Sequence, residues 1–446
     1  MRGIIGEGLT PAIATEYGSA FGTFLKSRCA GKKMRPSVCI GRDSRPSGPI
    51  LQEAIKKGLC AVGVDVVELG IVTTPSVGVM LRHLQSSGGV VVTASHNPIE
   101  YNGIKLLLDN GIAPPPQDAA IIKQHFLSKD SASVSSLDCG QAAKNDETDA
   151  VHISKVLAIA DKQKIAANRF KVVLDSVNGA GGGIVKKLLS SFGCEVCAIN
   201  DEPTGMFAHT PEPIAKNLTG LCEIVKREKA HAGFALDPDA DRLAIVDEKG
   251  TYIGEEYTLA LAAEYIFSKR PERSQPKAAT NLSTSRMIDD IAEKYRGEVI
   301  RTPVGEANVA AAMIRHNCVI GGEGNGGVID LRVGPVRDSL VGITLVLQMM
   351  AETGKTISGL AGTIPRYYMF KDKFTADKQQ AEDIFDEAKK CFASARLDTS
   401  DGCRFDFDDG WLHLRISNTE PVMRLIVEAK NEQAAQKYVN TVLKMR

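Results

Sequence analysis

The sequence lacks an excess of charge of either sign, a regular cysteine framework and any long hydrophobic run. Its 446 residues carry 54 lysines and arginines against 54 acidic residues, so the formal net charge is +0. A neutral chain gives no global electrostatic support for binding nucleic acid or an anionic membrane. No apolar run is as long as a membrane span, and the first residues lack the apolar stretch of a signal peptide. We therefore expect a cytoplasmic protein that binds neither nucleic acid nor membrane.

The ten cysteines are scattered along the chain. Cys194 and Cys197 form a C-x-x-C pair, but a second pair at zinc-site spacing is missing. They lie in a strand-like run, where positions three apart point to opposite faces of a sheet. We predict that they are reduced core residues.

The chain is too long for one compact core, because domains contain about 100–200 residues. Strand-like runs at 38–41, 65–69 and 89–93 alternate with helical patterns at 49–61 and 75–84. This β-α-β-α-β order favours a largely parallel sheet covered by helices.

Similar alternation returns after residue 172 and again after residue 254, whereas the last eighty or so residues differ. There Asp409-Gly410 separates two strand-like runs, which predicts a hairpin in an antiparallel sheet. We predict an α/β fold with three consecutive mixed-sheet α/β domains and a small α+β C-terminal domain. The expected boundaries are 1–148, 149–252, 253–364 and 365–446.

The first of four polar loops is Thr93-Ala94-Ser95-His96-Asn97-Pro98, directly after an apolar strand. The small Ala94 and the turn-forming Asn97-Pro98 would hold Ser95 at the carboxyl end of that strand. A serine in this place can act as a nucleophile or carry a phosphoryl group. Ser95 and His96 do not indicate a hydrolase, because the G-x-S-x-G elbow is missing. Lys105 follows as a cation that could return to the same site.

The second loop, Asp237-Pro238-Asp239-Ala240-Asp241-Arg242, also follows an apolar strand. Three carboxylates at alternate positions repel one another unless a cation neutralises them. Oxygen ligands at this density suit Mg²⁺, which often takes its remaining ligands from phosphate or water. Arg242 adds a fork-shaped donor for a phosphate.

Other interpretations of the second loop stay open from these residues. An EF-hand would also place acids at these positions, but it needs glycine where Arg242 stands. An aspartyl-phosphate phosphatase would use Asp237 as its nucleophile. A solvated acidic surface loop is the remaining alternative.

The third loop, 321–327, contains five glycines together with Glu323 and Asn325. Glycines let a backbone approach a ligand closely, and Glu323 and Asn325 can bond to sugar hydroxyls. The loop lacks the Lys-Ser/Thr of a P-loop, so nucleotide binding is not expected. A flexible loop without function is the alternative.

The fourth loop, Arg415-Ile416-Ser417-Asn418-Thr419-Glu420-Pro421, is followed by Arg424. Two arginines, two hydroxyls and an amide form a dense set of anion donors. We interpret it as a site that holds a phosphate while chemistry occurs elsewhere.

Together, and in this order, the four loops resemble those of the α-D-phosphohexomutase superfamily, which includes phosphoglucomutase, phosphomannomutase and phosphoglucosamine mutase. The resemblance extends from Arg2-Gly3 and Gly41-Arg42-Asp43 to the loop that ends at Arg424. It implies four domains around a central active-site cleft, each giving one loop.

The resemblance also implies a role for each motif residue. Ser95 would carry the phosphoryl group and, with Asp237, Asp239 and Asp241, bind one Mg²⁺. Arg242 would steady the transferring phosphoryl group, assisted by Arg2 and Lys105. Glu323 and Asn325 would contact the sugar hydroxyls, and the residues gripping the non-reacting phosphate would be Arg415, Ser417, Asn418, Thr419 and Arg424.

The implied activity is that of an isomerase, an intramolecular phosphotransferase. It would interconvert hexose 6-phosphate and hexose 1-phosphate through phosphoserine and a hexose 1,6-bisphosphate. The partner is thus a small phosphosugar, and the protein is expected to be a monomer or homodimer.

Two departures from the family pattern affect the chemistry. Many members carry serine where this chain has Asn325 and histidine, a proposed acid/base, where it has Gly327. Lys105 is our substitute proton carrier, with His96 second. The Gly-Glu-Gly-Asn-Gly-Gly form resembles an archaeal-type branch, which favours glucosamine phosphate as substrate. A broad phosphoglucomutase/phosphomannomutase, a metal-dependent sugar phosphatase and a non-catalytic sugar-phosphate binder are the alternatives.

Overall fold

The computed structural model describes residues 1–31, 35–129, 134–135, 137–271, 274–416 and 422–445. The chain forms two compact units. The first contains residues 1–265 and 325–361, and the second contains residues 266–324 and 362–446. The first unit therefore includes a segment, residues 325–361, that follows part of the second unit in the sequence.

The first unit contains a six-stranded mixed sheet. Its strands follow the spatial order Arg2–Ile4, Tyr101–Leu108, Gly88–Val92, Ser37–Arg42, Asp65–Ile71 and Ala142–Lys144. The first three strands pair antiparallel and the others pair parallel. All five residues of Gly88–Val92 are buried, as expected for a central strand with helices on both faces. Ser95 follows this strand.

A second mixed sheet in the same unit has the strand order Leu243–Val246, Ala232–Leu236, Lys171–Asp175 and Glu195–Ile199. Only the pair formed by the first two strands is antiparallel. The strand Ala232–Leu236 is fully buried and ends immediately before Asp237. The antiparallel return to Leu243 makes the aspartate loop a tight connection.

Helices cover these sheets and fix the ends of the functional loops. Thr73 caps the helix Thr74–His83 by accepting a hydrogen bond from the Ser76 amide, and Asp338 caps Ser339–Thr353 in the same way through Leu340. The helices of this unit are Pro11–Arg28, Gly48–Ala61, Thr74–His83, Pro116–Ser128, Thr148–Leu157, Lys162–Ala167, Gly181–Ser191, Thr219–Glu228, Ser339–Thr353 and Ile357–Ala361, with a 3₁₀ turn at Ala215–Asn217 and a short strand at Gly327–Ile329. The helix Glu256–Ser268 carries the chain from the first unit into the second.

The second unit contains a parallel and an antiparallel sheet. The parallel strands are Glu298–Thr302, Lys277–Asn281 and Ile320–Glu323, with Lys277–Asn281 in the middle. The antiparallel sheet has the order Tyr368–Thr375, Val422–Ala429, Gly410–Ile416, Cys403–Phe407 and Arg396–Asp398. The helices are Met287–Lys294, Glu306–His316, Lys378–Cys391 and Glu432–Leu443.

These elements confirm the predicted fold class: three α/β domains followed by a small domain with an antiparallel sheet. The Asp409-Gly410 hairpin is also confirmed, because Cys403–Phe407 pairs with Gly410–Ile416. Cys194 and Cys197 are reduced, as predicted, but both are only half-buried. The domain boundaries at 148, 252 and 364 stay predictions.

The glycine-rich loop predicted at 321–327 is shorter than expected. Ile320–Glu323 is a buried strand and Gly327 begins another, so only residues 324–326 connect them. The reason is close packing: a Cβ on Gly321 would lie 2.9 Å from Cγ of Met313 and closer still to its Sδ. Gly321 is thus required by a helix that lies directly on the strand. Among the described residues, no helix is long and apolar enough to cross a bilayer.

Candidate active site

Ser95 lies in a tight turn at the carboxyl end of Gly88–Val92. Its backbone has a φ of 50°, in the left-handed region that non-glycine residues rarely adopt. The Ser95 amide donates to Oγ1 of Thr93 at 2.9 Å, and the side chain is almost fully buried. The turn therefore directs the hydroxyl into the protein instead of into solvent.

A buried arginine, Arg45, stabilises this turn through hydrogen bonds. Arg45 has no exposed surface and donates to three loop carbonyls: Ser95 at 2.6 Å, Asn97 at 2.7 Å and Pro98 at 2.7 Å. Its Nε donates to Oδ2 of the equally buried Asp43 at 3.1 Å. Burial raises the pKa of Asp43 to about 6, although Arg45 opposes the shift. The unusual backbone at Ser95 is thus supported by a charged pair in the core.

The Ser95 hydroxyl faces the three aspartates of the second loop. Its Oγ donates a 2.7 Å hydrogen bond to Oδ2 of Asp237, from a position 142 residues away in the chain. Asp237, Asp239 and Asp241 are completely buried, and one oxygen of each lies within 4.8 Å of the others. The structure therefore brings together the serine and the three carboxylates that the sequence singled out.

Two cations partly balance these carboxylates. Lys105 Nζ donates to Oδ2 of Asp239 at 2.7 Å and to Oδ2 of Asp241 at 3.2 Å. Arg337 Nη2 donates to Oδ2 of Asp241 at 2.7 Å. Lys105 thus returns to the site, as the sequence suggested.

Hydrogen bonds from the first unit complete the support of the cluster. Thr74 Oγ1 donates to Oδ2 of Asp239 at 2.6 Å. Oδ1 of Asp237 accepts the backbone amides of Asp241 and Arg242, each at 3.1 Å. The loop is consequently preorganised by its own backbone and by a neighbouring helix.

The protonation of the three carboxyls differs with their partners. Burial, reinforced by Asp239 and Asp241, holds the pKa of Asp237 well above its usual value. Burial would also raise the pKa of Asp239 and Asp241, but Lys105 beside the first and Arg337 beside the second lower both. Lys105 and Arg337 thus favour the ionised forms of Asp239 and Asp241, whereas Asp237 holds its proton more tightly than a free carboxyl group does.

The donor set fits a hard divalent cation. Oδ1 of Asp239 and Oδ1 of Asp241 are buried and have no hydrogen-bond partner among the described residues. Buried carboxylate oxygens without partners are costly, and a metal ion satisfies them. Three carboxylates without cysteine or histidine ligands favour an oxygen-binding metal.

Three further residues named from the sequence lie beside the Ser95 turn or the aspartates. Arg2 Nη1 donates to Oδ1 of Asn97 at 2.8 Å, and Arg242 Nε lies 3.9 Å from Oδ1 of Asp241. His96 Nδ1 is 3.4 Å from Ser95 Oγ. Burial, with Arg242 and Arg2 nearby, lowers the pKa of His96 to about 3, so its ring is neutral at neutral pH.

The remaining candidates fall in different parts of the molecule. Asn325 belongs to the first unit, where its Oδ1 accepts from Arg337 Nη1 at 3.1 Å. Glu323 belongs to the second unit; its Oε1 accepts from Asn281 Nδ2 at 2.7 Å and from the Gly305 amide at 3.2 Å.

The arginines of the fourth loop lie on adjacent strands of the antiparallel sheet. Arg415 is directly opposite Arg424, and Arg424 is directly opposite Lys373 on the next strand. Like charges in register across strands destabilise a sheet, so this row favours an anion between them. Arg415 Nε also contacts Oδ2 of Asp401 at 3.2 Å. Ser417, Asn418 and Thr419 lie outside the described residues.

Sequence reasoning missed several residues that contact, or lie opposite, the candidate site residues. They share long sequence separations from their partners and lack a motif of their own; they are Arg45, Thr74, Arg337 and Lys373. A signal existed for Arg45, which ends the polar loop after 38–41, but Lys373 follows Lys371-Asp372 in a charged run and carried none. Arg337 and Thr74 carried none.

Comparisons with known proteins agree with this geometry. The matching family models are phosphoglucomutase/phosphomannomutase alpha/beta/alpha domain I over residues 1–133, domain II over 150–250, domain III over 255–368 and the C-terminal domain over 370–445. A phosphoglucomutase/phosphomannomutase of Thermococcus kodakarensis is 39% identical over 449 residues, covering 100% of this chain and 96% of the relative. A probable phosphoglucosamine mutase of Methanopyrus kandleri is 34% identical, covering 98% and 94%.

A solved structure gives the same result for the fold. A phosphoglucomutase/phosphomannomutase family protein from Burkholderia thailandensis superposes with a TM-score of 0.85 at 26% identity, covering 100% of this chain and 95% of its own. Since both sequence and fold match along the whole length, the chain belongs to the phosphoglucomutase/phosphomannomutase family.

Proposed function

We propose that the chain is a phosphosugar mutase that interconverts hexose 6-phosphate and hexose 1-phosphate through phosphorylated Ser95. The observation that carries this proposal is the buried Ser95 hydroxyl, 2.7 Å from Asp237 in a cluster of three buried carboxylates. A hydroxyl fixed beside a cation site is suited to carry a phosphoryl group, because the cation offsets the added negative charge.

The aspartates would hold the metal together with the phosphorylated serine. Mg²⁺ is our assignment, because it prefers carboxylate and phosphoryl oxygens. When bound, it stabilises negative charge on the transferring phosphoryl group. Lys105 and Arg242 would add donors to the same oxygens, and Arg2 would keep the Ser95 turn in place through Asn97.

In the first half-reaction, the phosphoryl group passes from Ser95 to a hydroxyl of the sugar. The bond between phosphorus and Ser95 Oγ breaks while an oxygen of the sugar hydroxyl bonds to phosphorus, and the hydroxyl proton ends on Ser95 Oγ. This gives a hexose 1,6-bisphosphate, which turns round and returns its other phosphate to Ser95. Lys105 and His96 are the candidate proton carriers; His96 has a ring nitrogen 3.4 Å from Oγ.

Residues of the second unit would position the sugar. Arg415 and Arg424, with Ser417, Asn418 and Thr419, would bind the non-reacting phosphate, and Lys373 extends their row of positive charge. Glu323, together with Asn325 of the first unit, would bond to the sugar hydroxyls. Holding the distal phosphate serves both half-reactions, because either phosphate of the bisphosphate can occupy the same place.

Glucosamine phosphate is the substrate that we favour, supported by the probable phosphoglucosamine mutase among the relatives. A broader phosphoglucomutase/phosphomannomutase activity is the alternative, supported by the relative of Thermococcus kodakarensis. A panel of glucosamine, N-acetylglucosamine, glucose and mannose phosphates, each with its 1,6-bisphosphate and Mg²⁺, separates the two by their kcat/KM values.

Ser95→Ala tests the assigned phosphoryl carrier. We expect the variant to lose mutase turnover and to take no label from radioactive hexose bisphosphate, while still binding phosphosugar. Ser19→Ala is the matched control, because Ser19 is also buried but donates only to the Gly58 carbonyl. Retained turnover in Ser95→Ala would reject the proposal.

The same labelling distinguishes a sugar phosphatase. A phosphatase acting through Asp237 would carry an acyl phosphate that alkali hydrolyses readily, would release inorganic phosphate, and would not need hexose 1,6-bisphosphate. Alkali-labile label on Asp237 together with phosphate release would favour that alternative.

A further inference from the structure

The side chain of Arg337 fills the space beside Gly327. A Cβ built on Gly327 would lie 2.8 Å from Cγ of Arg337 and still closer to its Cδ, whereas Cβ atoms in proteins keep at least 3.0 Å from such atoms. Any larger residue at 327, including the histidine of many family members, would therefore require Arg337 to move. The observed position of the Arg337 side chain therefore depends on the absence of a side chain at Gly327.

The guanidinium of Arg337 joins two parts of the site. Nη2 donates to Oδ2 of Asp241 at 2.7 Å, and Nη1 donates to Oδ1 of Asn325 at 3.1 Å. The arginine side chain is only 9% exposed and Asp241 is completely buried, so this ion pair is shielded from solvent. A planar fork with two directed donors can fix both partners at once, which an ammonium group cannot do.

The backbone that carries Arg337 is itself held firmly. The amide of the next residue, Asp338, donates to the Val328 carbonyl at 2.8 Å. Oδ1 of Asp338 accepts the Leu340 amide at 2.9 Å and Oδ2 lies 2.7 Å from Nε2 of the buried His152. These bonds fix the backbone next to Arg337 and so restrict the orientation of its guanidinium group.

We propose that Arg337 is a positioning residue of the active site: its stem takes the space left by Gly327, and its guanidinium fixes Asp241 relative to the loop that carries Asn325. This inference rests on the proposed function, because it assigns to Asp241 and Asn325 their places in metal and sugar binding. Arg337 donates to Oδ2 of Asp241 and leaves Oδ1, which has no hydrogen-bond partner among the described residues, available to a metal ion.

The expected effect is a loss of metal affinity. Mutation of a residue that orients a metal ligand typically lowers metal affinity or activity by about 10–100-fold. Arg337→Met keeps much of the stem but removes the fork, and Arg337→Lys keeps the charge but not the two directed donors. Both should bind metal at least about tenfold more weakly than the parent protein.

Titration of the full-length, dephosphorylated protein with Mn²⁺ measures this directly. Arg332→Met is the matched control, since Arg332 lies in the same segment and its head is paired with Asp330 instead of the cluster. It should leave the Mn²⁺ affinity within about twofold, because surface charge changes have small effects at a distance. Unchanged or tighter binding in Arg337→Met, or full recovery in Arg337→Lys, would overturn the positioning role.

A double-mutant cycle tests the steric part. Gly327→Ala should weaken Mn²⁺ binding in the parent protein, because it displaces Arg337, but should cause no further loss in an Arg337→Ala background. An equal loss in both backgrounds would refute the coupling. These titrations need no turnover, so failure of the parent protein to interconvert any phosphosugar would reject the proposed function without deciding this inference.

Discussion

Replacing Arg45 by methionine should loosen the turn that carries Ser95 much more than an ordinary surface substitution would. The change leaves Asp43 without its charged partner and removes the donors to the carbonyls of Ser95, Asn97 and Pro98. Removing one partner of a buried ion pair costs about 3–5 kcal/mol. We take this as the expected loss, because the hydrogen bonds to the loop belong to the same network and do not add to it independently.

Hydrogen exchange gives a local measure of this loss. The amides of Ser95 and Asn97 are protected by bonds to Oγ1 of Thr93 and the carbonyl of Ala94. A loss of 3–5 kcal/mol should accelerate their exchange by roughly 100- to 1000-fold or more, since about 1.4 kcal/mol corresponds to a factor of ten. Phosphorylation of Ser95 by hexose bisphosphate, followed by intact mass, should fall in parallel.

Arg42→Met is the matched control for Arg45→Met. Arg42 is a neighbouring, half-buried arginine whose head donates only to the backbone carbonyl of Asp43, at 3.2 Å. Its loss should change the exchange rates by less than about tenfold, as expected for a single net hydrogen bond. Trp411, the one tryptophan of the sequence, lies in the second unit. The midpoint of the unfolding transition that its fluorescence reports should be unchanged in both variants. Exchange rates in Arg45→Met as low as in Arg42→Met would refute the reasoning.

Two other changes test the surroundings. Thr74→Val removes the 2.6 Å bond to Asp239 while preserving side-chain shape, so Mn²⁺ affinity should fall by about tenfold in calorimetric titration, and an unchanged affinity would contradict the contact. His413→Gln tests a pH effect in the second unit: burial lowers the pKa of His413 to about 4 from 6.5 in the unfolded chain, so the stability it gives is present above about pH 6.5 and lost as the pH falls towards 4. Urea unfolding followed by Trp411 fluorescence should show the parent protein losing about 2 kcal/mol more than His413→Gln between pH 7 and pH 5, and equal losses would count against the shift.

Two of the loops that carry the chemistry could be predicted because they follow continuous apolar strands. Asp237 directly follows a strand whose residues are all buried, and Ser95 lies three residues after another. Polar residues at the carboxyl ends of such strands are typical of ligand-binding loops. The alternation of strand and helix fixed the fold class for the same reason. Here local patterns were sufficient, since periodicity reports which face of an element is buried.

The counter-charges of the site could not be found in this way. Arg337 and Thr74 reach their aspartates across 96 and 165 residues, and neither lies in a recognisable motif. The sequence predicts a ligand-binding loop that includes the glycines at 321 and 322, because composition cannot distinguish a glycine that lets a ligand approach from one required by close packing. The presence of Met313 over Gly321 makes the difference, and it depends on the tertiary structure.

The order in which the first unit is completed has a consequence for biosynthesis. The aspartate loop is paired with Arg337, and the buried His152 is hydrogen-bonded to Asp338, which lies 186 residues later in the sequence. A ribosome must therefore synthesise 337 of the 446 residues before the acidic loop can acquire its arginine. Until then the three aspartates of the nascent chain lack Arg337 as a counter-charge. Folding of the first unit can therefore be completed only after much of the second unit has been synthesised.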